Sequence, residues 1–456
     1  MFQIEDESRK WWVLSAMGAI LGVILLDETV VGVALPDIQL ELQMSEIASH
    51  WVVNIYMLLL AGLAAAAGKL GDIVGHKILS NIGLVIFGAA SLACGFASDS
   101  ALLIAARGVQ GIGAAIIFPS SLAMVMIAFP EQQRGFALGV YGAIGTVFLA
   151  LGPLVGGFLT DAASWRWIFW INPPIVVLIG MVVLAAWREP PRTTVPERLD
   201  RTGLVLLVGG TSLLIFAVMQ GPDWGWTTPS IFLPIIAGAV LLVVFAIVEL
   251  RTRSPLIEVD LLADPSFTGC NLLLFTAQYS KMAVFVFGAL YLQDVLKMTP
   301  LMAGLALLPT VAVQPFTAPL AGHVSDRFGA RGPSLGGVVF LLVGLAWIGA
   351  ASAWNDYAWL FPGLLIWGLS MAFLFVPPQN VIMGSVPAHK QGQAGGIAMT
   401  SQLLGAAVGM AVCSTIFSTT NEFQVVFLAN AAFVLLVLIV AWFSIWDARP
   451  AEAERA

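Results

Sequence analysis

The sequence predicts an all-α membrane protein built from two related helical bundles. Apolar residues form 59% of the 456-residue chain and charged residues 10%, and the mean hydropathy is +0.93. A soluble protein carries about 25% charged residues, so this chain cannot cover a soluble surface and needs lipid as its main solvent. One polar loop pattern also occurs twice, at 68–77 and 322–331, which is typical of a transporter made of two related halves.

Fourteen apolar runs are separated by turn and charge signals such as Pro36-Asp37 and Pro130-Glu131. Each run can cross the hydrocarbon core, which takes roughly 20 helical residues. Such runs predict helices, because a membrane β-strand gives only a weak alternation over about ten residues. The predicted spans are 12–35, 48–67, 78–97, 101–126, 134–158, 167–187, 203–219, 231–249, 267–292, 301–321, 334–352, 358–382, 394–418 and 424–446.

The lysines and arginines predict the orientation of these spans. With the N-terminus in the cytoplasm, sixteen of the 20 basic residues fall on the cytoplasmic side, and only Arg166 and Lys297 fall outside. This bias follows the positive-inside rule. We therefore expect a multi-pass protein of a bacterial-type inner membrane with both termini in the cytoplasm.

The longest polar gaps lie on either side of the seventh and eighth runs. They divide the chain into two groups of six runs with an inserted pair between them. The predicted domains are an N-terminal six-helix bundle (1–187), linkers with two inserted helices (188–266), a C-terminal six-helix bundle (267–446) and a cytoplasmic tail (447–456).

Charged residues inside apolar runs are the first functional candidates. Asp27 lies about 15 residues into the first run, near the membrane midplane at 1.5 Å per residue. An acid there costs roughly 2.5–3.5 kcal/mol, so we expect a proton or substrate site, the alternative being an Asp that caps or pairs with a neighbouring helix. Glu28 points about 100° away from Asp27, either into the same site or towards a partner helix.

Two basic residues are also predicted to lie within spans. Arg107 lies about two helical turns into the fourth run. It would tune the charge of Asp27, unless its side chain extends back to the membrane surface. Lys281, in the ninth run, would pair with an acid or place its ammonium group in a wet cavity.

Aromatic side chains are candidates for lining an adaptable apolar cavity. Most aromatic residues in membrane spans pack against other helices or face lipid, and that is the structural alternative for each. The candidates are Tyr56, Phe118, Tyr141 and Tyr279.

The repeated loop pattern contributes a further set of candidate functional residues. Both copies read Gly-x-x-x-Asp-x-x-Gly-x-basic in a short polar gap between two spans. The candidates are Gly68, Asp72, Gly75 and Lys77 in the first copy, with Asp326 and Arg327 in the second.

A glycine-rich segment with a proline ends the fifth span. Its members are Gly152, Pro153, Gly156 and Gly157. Proline inside a helix predicts a kink, and the glycines permit close helix packing.

The sequence contains no nucleotide loop of the form G-x-x-x-x-G-K-[ST], no His or Cys spacing typical of a metal site and no recognisable catalytic triad. We therefore expect no enzyme activity, cofactor, bound metal, nucleotide or nucleic acid partner.

Together these motifs resemble the fourteen-span drug:proton antiporters of the major facilitator superfamily over nearly the whole chain. The segment from Asp27 to Pro36 is similar to the first-span signature of that family, and 68–77 is similar to its loop motif. The segment Arg107 to Ala115 resembles its span-four arginine motif, and 152–157 resembles its antiporter motif. The chain departs from the pattern where Ile73 replaces an arginine and His76 replaces a second basic residue.

The resemblance implies alternating access in two six-helix bundles with two inserted helices, and proton uptake that drives a substrate out. It implies that Asp27 is a proton or substrate site and that Arg107 tunes it. Asp72 and Lys77 would form the loop gate, while Gly152 and Pro153 supply a bend. The two departures predict a weaker or differently partnered gate.

The functional prediction is a monomeric proton-coupled exporter of amphipathic, cationic or neutral compounds, with a small-molecule substrate, protons and the lipid bilayer as partners. One alternative is an exporter dedicated to a single metabolite or a self-made antibiotic. A second alternative is a membrane receptor or scaffold that transports nothing, which the charges inside the spans disfavour.

Overall fold

A computed structural model describes residues 6–189, 200–252, 255 and 257–445. Throughout this part of the chain the regular elements are helical, and fourteen of the described helical segments are long and apolar enough to cross a membrane. The predicted all-α membrane fold is confirmed. Part of the first predicted linker (190–199) and the predicted tail (447–456) lie outside the described residues.

These fourteen candidate spans are labelled in chain order: α1 (Ser8–Glu41), α2 (Glu46–Val74), α3 (His76–Gly95), α4 (Ser100–Ala128), α5 (Glu131–Ala162), α6 (Trp167–Ala186), α7 (Arg201–Gly221), α8 (Pro229–Glu249), α9 (Pro265–Asp294), α10 (Met302–Phe328), α11 (Arg331–Trp354), α12 (Tyr357–Gly384), α13 (Ala388–Thr420) and α14 (Phe423–Ser444).

Short polar side chains start several of these helices. Ser45 accepts a hydrogen bond from the Ala48 amide, and Asp99 accepts one from the Leu102 amide. Such caps satisfy backbone donors that have no partner within the first helical turn. Of the turn signals seen in the sequence, Pro130-Glu131 lies at a helix boundary, between α4 and α5, whereas Pro36-Asp37 lies inside α1, which continues to Glu41.

The two copies of the repeated loop contain a glycine with a left-handed backbone. Gly75, between α2 and α3, has φ of 103°, and Gly329, between α10 and α11, has φ of 84°. Glycine adopts such angles without a steric penalty from Cβ. The positive φ angle thus explains why the second glycine of the pattern occurs in both halves.

Two spans in the second half have irregular geometry. In α9 the helix contains a π-helical turn over Ala283–Phe287. The tenth span consists of two helices, Pro300–Ala312 and Gln314–Phe328. By contrast, α5 continues through Pro153 as one helix over Arg134–Ala162.

The helices form two groups in space. In the first, α1 packs against α5, and α4 packs against both α2 and α3. In the second, α11 packs against α12 and α14, and α9 packs against α13. The helices α7 and α8 pack against each other, and α7 also contacts α2 and α13, so this pair lies beside the line where the groups meet.

The two groups meet through α2 with α13 and through α5 with α10. We call the end of the molecule that carries Gly75 and Gly329 the loop face. Near it the backbones cross very closely: a Cβ on Gly68 would lie 2.0 Å from the carbonyl oxygen of Gly392, and one on Gly322 would lie 2.0 Å from that of Gly135. Only glycine permits this approach, which closes the groups against each other at the loop face.

Candidate functional site

The carboxylate of Asp27 lies fully buried among three spans of the first bundle. The Nη1 atom of Arg107, on α4, is 2.5 Å from its Oδ2 atom. Its Oδ1 atom accepts from Nε2 of Gln110 at 2.8 Å and from Nδ2 of Asn172, at the start of α6, at 3.3 Å. The acid therefore has a positive partner and two neutral donors, all supplied by the protein.

Arg107 makes further contacts that fix it inside the bundle. Its Nε atom donates to the carbonyl oxygen of Val52 at 3.0 Å, and its Nη1 atom also donates to Oε1 of Gln110 at 2.7 Å. The guanidinium carbon lies 4.3 Å from the centre of the Tyr56 ring, a cation–π distance. The side chain is thus directed to Asp27 and does not extend to the surface.

Such an arrangement is stable only while both charges are present. Removing one partner of a buried ion pair leaves an uncompensated charge and costs about 3–5 kcal/mol. Arg107 also contacts Val52 and Gln110, so the network links the charge of Asp27 to contacts among α1, α2 and α4.

Gln110, Asn172 and Ser91 were not predicted as site residues. Ser91, on α3, accepts from Nδ2 of Asn172 at 3.0 Å and donates to the carbonyl oxygen of Phe169 at 2.9 Å. A signal was available for Gln110, because it follows Arg107 by three residues and therefore shares its helix face.

A cavity of about 170 Å³ lies between the two bundles. Phe118 and Tyr141 line it, as do Glu28 and Lys281. The remaining lining is mostly apolar with several amides, including Leu25, Met57, Gln278, Gln314, Trp367 and Gln402. The cavity therefore offers an apolar surface with a few polar anchors, which suits an amphipathic molecule.

The other two aromatic candidates lie elsewhere. Tyr56 packs over Arg107, and Tyr279 packs inside the second bundle with its ring centre 4.4 Å from that of Phe433. Each residue therefore packs within its own bundle and does not line this cavity.

The structure brings Glu28 and Lys281 together across the cavity. The Oε1 atom of Glu28, on α1, lies 3.7 Å from Nζ of Lys281, on α9. This ion pair connects the two bundles, whereas the pair of Asp27 and Arg107 stays within the first.

Asp72 connects the bundles at the loop face. Its two carboxylate oxygens accept from the backbone amides of Gly392 and Gln393, both at 2.8 Å. These amides belong to the first turn of the α-helix Gln391–Thr420 within α13, where unpaired N–H groups and the helix dipole attract negative charge. His76 adds a contact of 3.3 Å from Nε2 to Oδ1 of Asp72.

Asp326 makes the equivalent contact in the opposite direction. Its carboxylate oxygens accept from the amides of Gly135 at 2.8 Å and Phe136 at 2.9 Å, near the start of α5. Each bundle therefore presents one aspartate to a helix N-terminus of the other.

The basic members of the predicted gate lie apart from these contacts. The Nζ atom of Lys77 donates to the carbonyl oxygens of Leu184 at 2.9 Å and Trp187 at 3.2 Å, where α6 ends. Arg327 is exposed, with its guanidinium 5.2 Å from the ring centre of Phe328. Lys77 therefore fastens α3 to α6 within the first bundle.

The glycines of the segment 152–157 bring α5 against α1 directly beyond Asp27. A Cβ on Gly152 would lie 1.8 Å from Oγ1 of Thr29, and one on Gly156 would lie 2.9 Å from a methyl group of Val30. A Cβ on Gly157 would meet no described atom within 4 Å, and Pro153 is exposed. Only the first and third members of the segment, Gly152 and Gly156, are needed for this packing.

Comparison with known proteins agrees with this architecture. The profile described as Major Facilitator Superfamily matches residues 17–410 and 270–456. The chain belongs to the major facilitator superfamily. Members of this superfamily are membrane transporters that act on small molecules, so the protein is a multi-pass transporter by family.

Several superfamily relatives align with most of the chain. Multidrug resistance protein Stp of Mycobacterium tuberculosis is 34% identical over 89% of this chain and 75% of its own length. Puromycin resistance protein pur8 of Streptomyces alboniger is 31% identical over 90% and 82%. Methyl viologen resistance protein SmvA of Salmonella typhimurium is 32% identical over 90% and 83%.

A solved superfamily structure shares the fold. The human organic anion transporter MFSD10 (TETRAN) superposes with a TM-score of 0.68, covering 96% of this chain and 100% of its own at 15% sequence identity. At this identity the match establishes the arrangement of helices and nothing about substrate.

Proposed function

We propose that this transporter is a proton-coupled antiporter that exports amphipathic compounds by alternating access. The observation that carries the proposal is the buried network of Asp27, Arg107, Gln110 and Asn172, one residue along α1 from a cavity-lining glutamate. An intramembrane acid held in this way is a natural proton site. The mostly apolar cavity with a few polar anchors favours amphipathic substrates.

The proposed mechanism uses competition between proton and substrate. A proton on Asp27 removes the negative partner of Arg107, and the freed guanidinium changes the contacts of α4 with α1 and α2. Binding of a substrate in the adjacent cavity favours the opposite arrangement. Such negative coupling is reciprocal, so each ligand promotes the release of the other.

The closed loop face supplies the second half of the mechanism. If the loop face is cytoplasmic, as the basic residues predict, the described conformation is closed to the cytoplasm and corresponds to the outward-facing state. Asp72 and Asp326 would hold this state through four backbone hydrogen bonds. Return to the inward-facing state would require all four to break together.

A second candidate function is export of one antibiotic or metabolite. The relatives support it as strongly as multidrug export, since they include a tetracenomycin C resistance and export protein of Streptomyces glaucescens at 30% identity.

The proposed location is the bacterial inner membrane, with both termini in the cytoplasm. The proposed functional unit is a monomer.

Transport by the purified protein in proteoliposomes tests the proposal. An imposed proton gradient should drive uptake of an amphipathic dye against its own gradient, with protons moving in the opposite direction. Dye uptake that ignores the proton gradient would contradict antiport. An absence of flux for every compound in a panel of dyes, biocides and antibiotics would favour the receptor alternative.

A further inference from the structure

The cavity contains two charges of opposite sign that come from opposite bundles. Glu28 and Lys281 approach to 3.7 Å, and 28% and 17% of their side chains remain exposed. A direct hydrogen bond between nitrogen and oxygen spans about 2.7–3.2 Å. The pair is therefore a loose ionic contact at the cavity wall.

This contact differs in kind from the pair of Asp27 and Arg107. That pair is buried, and its hydrogen-bonding groups have backbone and amide partners. Within the part of the chain that the structure describes, Glu28 and Lys281 have only each other as ionic partners. An ammonium group has three donors and a carboxylate about four acceptor positions, so both retain capacity for a ligand.

The local backbone around Lys281 also marks this wall of the cavity. The π-helical turn Ala283–Phe287 begins two residues after Lys281, and Phe285 within it lines the cavity. Single π-helical turns inside α-helices occur frequently at functional sites.

We propose that Glu28 and Lys281 select amphipathic substrates with two opposite charges. The anionic group of such a zwitterion would pair with Lys281 and its cationic group with Glu28, while its apolar body contacts Phe118, Phe285 and Trp367. Both protein charges would then exchange one partner for another, and neither is left unpaired. This inference rests on the proposed export function and names its substrate class.

The same geometry disfavours a permanent monocation. Its charge would pair with Glu28 only by displacing the ammonium of Lys281, which then remains beside the ligand as an unpaired like charge. Like charges placed together weaken binding strongly. Removing the Lys281 charge should therefore convert the cavity from a preference for zwitterions to a preference for cations.

Two dyes with the same ring system test this selectivity. Rhodamine B carries a cationic xanthene and a free carboxylate, and rhodamine B ethyl ester carries the cation alone. Binding of each dye to purified protein in nanodiscs can be measured by fluorescence anisotropy without a proton gradient. The wild type should bind rhodamine B roughly tenfold tighter than the ester.

Three substitutions complete the test. Lys281→Met should reverse the ratio of the two affinities, and Lys281→Arg, which keeps the charge, should preserve the wild-type preference. Lys297→Met is the matched control, because Lys297 is exposed and does not line the cavity. Its affinity ratio should equal that of the wild type.

The outcomes separate this inference from the proposed function. A wild type that prefers the ester or binds neither dye, or a ratio unchanged by Lys281→Met, overturns the selectivity even if proton-driven transport occurs. A reversed ratio in a protein that shows no proton-driven transport supports the selectivity and contradicts antiport alone.

Discussion

Asp72 and Asp326 make the same contact in opposite directions across the two bundles. Each carboxylate accepts two backbone hydrogen bonds from the first turn of a helix in the other half. A glycine one turn before each aspartate, Gly68 or Gly322, lets the helices cross at backbone distance. The repeated loop is therefore a pair of reciprocal clamps that hold one face closed.

Neutralising the first clamp should loosen the loop face. Each of the two bonds to the Asp72 carboxylate contributes about 1.5–3 kcal/mol, whereas an asparagine amide has one acceptor oxygen and can keep only one neutral bond of about 0.5–1.5 kcal/mol. Asp72→Asn should therefore weaken the closed state by at least about 2 kcal/mol, a roughly 30-fold or larger change in the ratio of open to closed. Spin labels at positions 132 and 389, which lie on opposite bundles at the loop face, should report a larger fraction of long distances.

Transport should fall in Asp72→Asn while substrate binding survives. Asp99→Asn is the matched control, because Asp99 accepts from an amide of its own helix and asparagine caps a helix about as well as aspartate. Equal loss of substrate binding would instead indicate misfolding of the Asp72 variant.

The second clamp should behave like the first. Asp326→Asn should lengthen the same inter-label distance to a similar extent, since it loses the same two charge-assisted bonds. The double variant should show the sum of the two free-energy changes, because distant sites without shared partners act additively. A double variant no more open than either single one would show that the clamps do not hold one common state.

The close crossing at Gly68 should not tolerate a methyl group. A Cβ there would lie 2.0 Å from the carbonyl oxygen of Gly392. This oxygen belongs to the backbone, so relieving the clash would require the two helices to separate. Gly68→Ala should therefore open the loop face and abolish most transport. Gly336→Ala is the control, because a Cβ on Gly336 has nothing within 4 Å and alanine favours a helix by about 1 kcal/mol over glycine. Thermal unfolding of both variants will separate gate opening from general instability.

Substrate binding should depend on pH through Asp27. Substrate affinity of the wild type should fall as the acid takes up a proton, and Asp27→Asn should flatten that dependence and remove proton-driven efflux. Asparagine is nearly isosteric and can still accept from Gln110, so insertion should persist. Binding measured against pH in nanodiscs checks this, and an unchanged profile would direct attention to Glu28.

The orientation of the inserted pair can be checked by cysteine labelling in intact cells. The positive-inside prediction places position 227, between α7 and α8, outside, and positions 132 and 260 inside. The native Cys94, Cys270 and Cys413 are buried and should give little background. Labelling of Asp260→Cys and Gln132→Cys from opposite sides would show that the inserted pair is misassigned.

Composition and local pattern were enough to establish the medium, the helices and the two related halves of the protein. Long apolar runs form helices in lipid, because a helix satisfies all of its backbone hydrogen bonds within one segment and only a closed barrel could do so otherwise. These are local properties of the chain, and they place the ends of the spans to within seven residues. The charged residues within apolar runs, Asp27, Arg107 and Lys281, could likewise be singled out from the cost of burying them.

Which of these charges meet depends on tertiary packing. Asp27 pairs with Arg107, 80 positions away, and Glu28 pairs with Lys281 in the other bundle. Adjacent residues on a helix diverge by about 100°, so one acid turns into the bundle and its neighbour turns into the cavity. The sequence does not show what each of the two acids contacts, because that depends on how separately formed helices pack.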